Sequence, residues 1–445
     1  MKIPQTPPPL SELQADFPRS PTDLGSILSA MGGAQTDPRY LHWDKLRRLP
    51  PPDGLNHRQW WYALKISRVG KLIDLHDTNQ RPFTFCVPDG VQAALHEIDF
   101  GSGGMVGVTD SPITSPSTRD RYLMSSLMEE AITSSQLEGA VTTREVAKEM
   151  LRTGRKPHDV SERMILNNFR TMQRIVTLKD QALTRALVFE IHHLVTDQTL
   201  DDPSAAGRFR QQGEHVVVSD AYGTVFHAPP PADELLQRLE DMCAFANGET
   251  PDFFVHPAVR AMILHFWLAY DHPFVDGNGR TARALFYWSM LHSGYWLFEF
   301  ISISTILRKA PTKYARSFLY TETDDNDLTY FLVAQAKVIR AAIAELHAYI
   351  ERKTRETRDL EAHVKTLGLF NHRQAEVVRH ALKHPGQRYT IQSHQTSHGV
   401  SYQTARTDLL DLADRKVLDQ HQVGKQLVFT PPADLSAILA NLSQR

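Results

Sequence analysis

The stretch His272-Pro-Phe-Val-Asp-Gly-Asn-Gly-Arg-Thr-Ala-Arg283 constrains this chain more tightly than any other. It puts an imidazole, a carboxylate, two glycines and two arginines within twelve residues. His256–Tyr270, just before it, spaces Val259, Ile263, Phe266, Trp267 and Tyr270 near one face, which predicts a buried scaffold helix. The motif then reads as a loop entering a second helix at about Gly279. Backbone amides near Gly277 and Gly279 can point at one spot, and the helix N-terminus adds positive potential there. A Cβ at either glycine would hold an anion away from those amides. Arg280 and Arg283 are three apart and share a helix face. Each can fork onto phosphate oxygens through charge-assisted hydrogen bonds of about 1.5–3 kcal/mol. Asp276 is a hard oxygen ligand of the kind magnesium takes beside phosphate. His272 titrates near neutrality when unperturbed, so its neutral ring can accept a proton from a hydroxyl. Phe274 is expected to face inward and pin the loop. An N-capped helix with a satisfied core histidine would explain a lone His-Pro, but not this whole set.

Bulk properties bound the rest. With 445 residues, two to four domains are expected. The composition, 41% hydrophobic and 22% charged, is that of an ordinary soluble protein. A formal net charge of -2 argues against a chain that coats nucleic acid or anionic membrane throughout. The two cysteines, Cys86 and Cys243, make no disulfide framework and fit a reducing compartment. The proline-rich start has no apolar run of the signal-peptide kind, and no stretch is long enough to span a bilayer. A cytoplasmic protein without a membrane partner is the expectation.

Apolar periodicity predicts helices over Arg119–Leu137, Thr142–Leu151, Ser161–Leu178, Arg185–Thr196, Ala232–Ala246, Arg280–His292, Ser304–Leu319 and Leu328 to about Arg358. The Pro/Ser-rich start, to about Asp23, reads as extended or loosely tied. Phe100–Pro116 reads as a linker, because Gly101, Gly103 and Gly107 lack the strand–helix context of a dinucleotide loop. Gly213–Pro231 breaks the helical pattern. Val216, Val217 and Val218, a polar turn, then Thr224 and Val225 predict a hairpin. One hairpin among helices cannot build its own sheet, so its edge is open to strand addition by another chain.

The central motif resembles the signature of the Fic family, HPFxDGNGRxxR, at every specified position. Gly213–Pro231 resembles the family's flap, which holds a target segment beside the histidine. Ser134-Ser-Gln-Leu-Glu138-Gly139 resembles its inhibitory motif, [S/T]xxxE[G/N]. The resemblance spans roughly residues 122–350. It implies a mainly α fold: a Fic-type helical core over 116–350 with the inhibitory helix at about 120–139 and the flap at 213–231. A Fic-associated region would cover 1–115, and a helical linker 351–370. It also implies an activity, transfer of AMP from ATP to a Ser, Thr or Tyr hydroxyl of a target protein or of the chain itself. His272 would be the general base. Asp276 would hold magnesium. Gly277, Asn278, Gly279 and Arg280 would bind phosphates, and Arg283 the γ-phosphate. Val216, Val217, Val218, Thr224 and Val225 would dock the target. If the helix of Ser134 and Glu138 lies over the site, Glu138 can pair with Arg283 and deny it to ATP. The same carboxylate could orient water and remove AMP, so transfer and removal stay open. The intact Gly277, Gly279 and Arg280 favour AMP transfer over the family's phosphate-moving variants.

Residues 371–445 change character. Helices over Asn371–His384, Thr390–His398 and Ser401–Arg415, then a hairpin turning at Gly424, read as a winged helix-turn-helix. Tyr402, Gln403, Thr404 and Arg406 are candidate DNA contacts through 371–431. The segment is only mildly basic, however, and Asp408, Asp411 and Asp414 lie along the same helix. A protein-interaction or dimerisation module is the other reading. Six histidines here, His372, His380, His384, His394, His398 and His421, lack cysteine partners and a tight metal-ligand pattern. Two function classes follow: an autoinhibited AMP transferase, or a transcriptional regulator whose nucleotide site is a sensor.

Overall fold

The computed structural model describes residues 1–15, 21–36, 39–68, 70–102, 116–220, 222–366, 369–424 and 426–442. The chain is mainly helical and divides into two compact units, residues 1–106 with 125–344 and residues 107–124 with 345–445. No helix among the described residues is long and apolar enough to cross a membrane.

The centre of the larger unit is an antiparallel helix pair, Pro257–Asp271 and Asn278–His292. Pro257 opens the first, where its missing N–H costs nothing, and the His256 ring accepts from the Ala258 amide. From Ala258 to Leu268 every side chain but the half-buried Arg260 is buried, so this helix has almost no solvent face. Helices Val160–Leu178 and Arg185–Thr196, N-capped by Asp159 and Thr184, pack on its partner Asn278–His292. The helix Pro116–Leu137 carries the Ser134 segment. Met128, Ala131 and Ile132 of its predicted apolar face are buried; the Tyr122 side chain lies outside the described residues.

The N-terminal region departs from its expectation. Leu10–Ala15 and Pro21–Thr36 are helices, and Leu13 and Ile27 pack with Trp43, Trp60 and Trp61. Burial of these apolar side chains overrides the proline-rich composition. A second hairpin also appears, β1 Lys71–His76 against β2 Pro82–Phe85. Ile73, Leu75, Phe83 and Phe85 alternate inward, while Asp77 accepts from the Asn79 and Arg81 amides to close the turn. Within the predicted Phe100–Pro116 linker, Phe100, Gly101 and Ser102 end a helix, Asp89–Ser102. Gly103 and Gly107 lie outside the described residues.

The predicted flap is present but shorter. β3 is Val218–Ser219 and β4 is Val225–His227, so Val216, Val217 and Thr224 lie outside the strands. Asp220 ties the turn by accepting from the Tyr222 and Thr224 amides. Val217, Val218 and Val225 are exposed, and Tyr222 is 95% exposed.

The second unit holds helices His372–Lys383, Ile391–His398 and Tyr402–Asp414 and a three-stranded sheet in the order β5-β7-β6. Its strands are β5 Tyr389–Thr390, β6 Asp419–Val423 and β7 Gln426–Thr430. Val378, Leu409, Leu412, Val417 and Phe429 form its core. A closing helix, Leu435–Leu442, was not expected; it buries Leu435 and Leu439 on that core. Residues 351–366 of the predicted helical linker continue the helix Thr329–Thr366.

Candidate active site

The site is the loop between the two central helices. His272 ends the first in the left-handed region, with φ 44° and ψ 55°. A non-glycine residue there costs on the order of 1–2 kcal/mol, so its surroundings must hold it. Arg210 does so. Its Nε donates to the His272 carbonyl at 2.9 Å, its backbone N–H donates to the Pro273 carbonyl at 2.9 Å, and its guanidinium also reaches the Pro230 carbonyl.

The imidazole is oriented by the Ala269 carbonyl, 3.2 Å from Nδ1. A carbonyl only accepts, so Nδ1 carries the proton and Nε2 keeps its lone pair. Burial pushes the ring down to about 4; the Ala269 bond opposes that shift, and His227 and Arg210 add to it. The ring is therefore neutral at pH 7.

Phe274 is fully buried, as expected, and stacks on His192 at 3.7 Å. His192 shapes the loop below. Its Nδ1 accepts from the Gly207 amide, which leaves Nε2–H to donate to the Asp276 carbonyl, each at 2.9 Å. Those two bonds define one neutral tautomer, and burial holds this ring also down to about 4.

Gly277 has φ 81°, and a Cβ there would meet Thr196 Cγ2 at 2.5 Å. Close packing against the neighbouring helix, rather than room for phosphate, is what demands glycine at this position. Asn278 also holds the loop. Its side chain is buried and spans the loop, with Oδ1 accepting from the Phe274 amide at 3.0 Å and Nδ2 donating to the Phe274 carbonyl at 2.8 Å. It shapes the loop and does not point a free amide at a ligand.

Gly279 is the half-buried second residue of the helix Asn278–His292. A Cβ at this position would collide with the Glu138 carboxylate, whose carboxyl carbon would lie 2.8 Å away. A carboxylate thus rests on the bare Cα at the positive end of a helix, where an anion is favoured. The same group accepts from Arg283 Nη2 at 2.8 Å, while Arg283 Nε and Nη2 donate to Ser134 Oγ and the Ser134 carbonyl at 2.8 and 3.0 Å. Ser134, Glu138 and Arg283 therefore meet in one cluster. Arg280 is buried and divided between the Val195 carbonyl at 2.7 Å and Asp276 at 3.2 Å. Asp276 itself is open, its side chain 58% exposed. Among the described residues no three His, Cys, Asp or Glu side chains are grouped to hold a metal. A cation at Asp276 would need oxygens from a nucleotide.

Glu130 fastens the covering helix to the core. Its buried carboxylate accepts from Tyr287 Oη at 2.8 Å, Ser302 Oγ at 2.8 Å, Ser304 N at 3.1 Å and Ser304 Oγ at 2.5 Å. Glu130→Ala would strand these donors. We expect a loss of about 2–4 kcal/mol in chemical denaturation of the core, given that hydrogen bonds to charged groups contribute about 1.5–3 kcal/mol each and are not additive. A loss below about 1 kcal/mol, within reach of an ordinary surface change, would contradict the anchoring role.

Several of these residues carried no signal of their own. Arg210, His192 and Glu130 are single polar residues inside otherwise ordinary segments. Gly207-Arg208-Phe209-Arg210, a glycine and two arginines ahead of the flap, was the one available hint.

A loop of this kind between two buried helices, covered by a carboxylate-bearing helix, defines a Fic-type helical domain. Residues 182–290 match the family model described as Fic/DOC family. The chain accordingly carries a Fic/DOC family domain. A protein adenylyltransferase Fic from Nematostella vectensis is 33% identical over 117 residues, which cover 26% of this chain and 25% of that protein. Protein adenylyltransferase fic-1 from Caenorhabditis elegans is 34% identical over 108 residues, covering 24% and 19%. The match spans about a quarter or less of these relatives' lengths. Among solved structures, a Fic family protein from Desulfovibrio desulfuricans G20 aligns at 20% identity with a TM-score of 0.49, covering 76% of this chain and 94% of that one.

Proposed function

We propose that the chain is a protein adenylyltransferase that moves AMP from ATP to a protein hydroxyl and is held off by Glu138. One observation carries the reading: the Glu138 carboxylate lies on Gly279 and Arg283, at the helix N-terminus where a phosphate would bind. The relatives' names supply the reaction class.

In this reading the triphosphate lies along residues 276–283 once Glu138 leaves. Gly279 and the helix N-terminus take phosphate oxygens, and Arg283 takes the γ-phosphate. The target's Ser, Thr or Tyr oxygen attacks the α-phosphorus, the α–β bridging bond breaks, and pyrophosphate departs. The hydroxyl proton passes to His272 Nε2, the lone pair left open by the Ala269 bond. The negative charge of the triphosphate raises His272 from its depressed value toward neutrality, which makes it a better base. Asp276, a single open carboxylate beside the phosphate path, fits magnesium, which favours one or two carboxylates with phosphate oxygens and water. When bound, that ion would offset phosphate charge. The exposed edge of β3, with Val217 and Val218, and Val225 on β4 offer strand pairing to the target segment.

Transfer of label from the α-phosphate of ATP, with magnesium present, tests the proposal on the wild-type chain and on Glu138→Gly. A released chain that binds ATP but acquires no protein-bound AMP would overturn it in favour of a nucleotide sensor.

A separate observation supports reading the second unit as a winged helix that contacts DNA. Two of the three acidic side chains on its Tyr402–Asp414 helix are used internally. Asp408 accepts from Arg373 at 2.7 Å and Asn371 at 2.8 Å, and Asp411 from Gln374 at 2.7 Å and Arg415 at 3.0 Å. The open face presents Tyr402, Gln403, Arg406 and Thr407. Arg406→Ala should weaken binding of a mixed-sequence duplex and reduce the slope of log affinity against log salt by about one. Anisotropy of a labelled duplex at several salt concentrations measures both. An unchanged slope would remove Arg406 from the interface.

A further inference from the structure

The last residue of β4, His227, is buried beneath the flap, and both of its ring nitrogens face acceptors. Nε2 lies 2.6 Å from the Tyr270 carbonyl and Nδ1 2.8 Å from Glu322 Oε2. A carbonyl cannot donate and a carboxylate has no proton to give. A neutral imidazole carries one N–H and could satisfy only one of them, leaving its lone pair against an oxygen. The arrangement closes only when the ring holds two protons. The Tyr270 carbonyl also belongs to the last turn of the scaffold helix Pro257–Asp271, where a cation is favoured.

We propose that His227, as an imidazolium, is a positioning residue for target modification: it pins the foot of the flap to the helix turn that carries His272. The inference rests on the AMP-transfer reading and adds to it the group that sets the docking strand against the base. His227 spans two elements. Glu322 comes from the helix Pro311–Thr323, and the Tyr270 carbonyl lies two residues before His272. Arg210 secures the same region from the other side, through the Pro230 and His272 carbonyls. The flap is thus tied at both its last strand and its exit to the backbone that orients the base.

The charged and titratable groups around His227 are of both signs, and the acceptors and anions prevail. Glu322 faces it from Pro311–Thr323. Asp271, His272 and the Tyr270 ring face it from the scaffold helix end, with Asp271 paired to Arg238. Arg210 approaches from the segment before the flap. Burial disfavours the charge, but the Glu322 bond, the Glu322 charge, the Tyr270 carbonyl and Asp271 outweigh it and raise the ring above the ordinary histidine range. Because the folded value is raised, the clamp is complete below about pH 6.5, the unfolded value, and opens as pH rises through the folded one.

The test joins a titration with a rate. In the full chain with carbon-13-labelled histidine rings, the His227 resonance is assigned by its loss in His227→Gln. Its midpoint should lie above that of an unperturbed histidine and should fall in Glu322→Gln. Exchange of flap amides 214–227, corrected for intrinsic rates, should quicken over the same pH interval. In a Glu138→Gly background, His227→Gln should slow labelling of the chain's own hydroxyls about tenfold and flatten the alkaline fall of the profile. Its Kd for ATP should stay within twofold, since the phosphates bind elsewhere. A His227 midpoint at or below the ordinary value, or one indifferent to Glu322→Gln, would sink the clamp. A confirmed titration with unchanged labelling rate and profile would sink its role in positioning. If Glu138→Gly itself transfers no AMP, the transferase reading fails, and titration and flap exchange still decide whether the clamp exists.

Discussion

Replacing Glu138 with glycine should raise protein-bound AMP roughly 5- to 150-fold, the span that a coupling of about 1–3 kcal/mol produces. Glu138 acts by exclusion. The carboxylate rests on Gly279 and pairs with Arg283, so a triphosphate meets a fixed negative charge where it needs amides and a guanidinium. Glycine removes the charge and its bulk together. The fold should survive the change. Breaking a buried ion pair costs about 3–5 kcal/mol, but the Glu138 side chain is 31% exposed, so the cost here is well below that. Arg283 also keeps both bonds to Ser134. Label transfer and ATP affinity should rise together. Tighter ATP binding without labelling would leave Glu138 a gate to a site that does no transfer.

His272→Ala in that released background should lower transfer by on the order of 10²–10⁴, the usual contribution of a positioned general base. ATP affinity should change little, because the imidazole is tied to Ala269 and takes no part in the phosphate path. The pH profile carries a second check. The free ring is held down to about 4 and bound triphosphate raises it, so the acid limb of transfer should lie above that value and disappear in His272→Ala. Single-turnover labelling with ATP titrated in parallel separates rate from binding. A rate lowered less than about tenfold would move the base elsewhere.

The sequence made the centre of this molecule legible and its supports obscure. The twelve-residue motif announced the loop and the second helix through residue types and spacing, while the Ser134–Glu138–Arg283 meeting was foreseen only through the family resemblance. Gly277 and Asn278 were placed in the right loop, but the packing duties they carry there were not foreseen. Their demands come from Thr196 and from the Phe274 backbone, and three-dimensional neighbours leave no trace in local spacing. The β1–β2 hairpin was missed although Leu72, Ile73 and Leu75, then Phe83 and Phe85, flank a Asp77-Thr78-Asn79 turn. The strands are short, and a neighbouring helix, Leu235–Ala246, supplies the packing that makes them stable. The flap was foreseen as an open edge, but the histidine at its foot read as one more polar residue. Its meaning depends on two acceptors 43 and 95 residues away.

Gly279 makes escape from restraint one-sided. A side chain grown at residue 279 would evict the Glu138 carboxylate and fill its seat in the same act. The seat can be emptied without being refilled only from the Glu138 side of the contact.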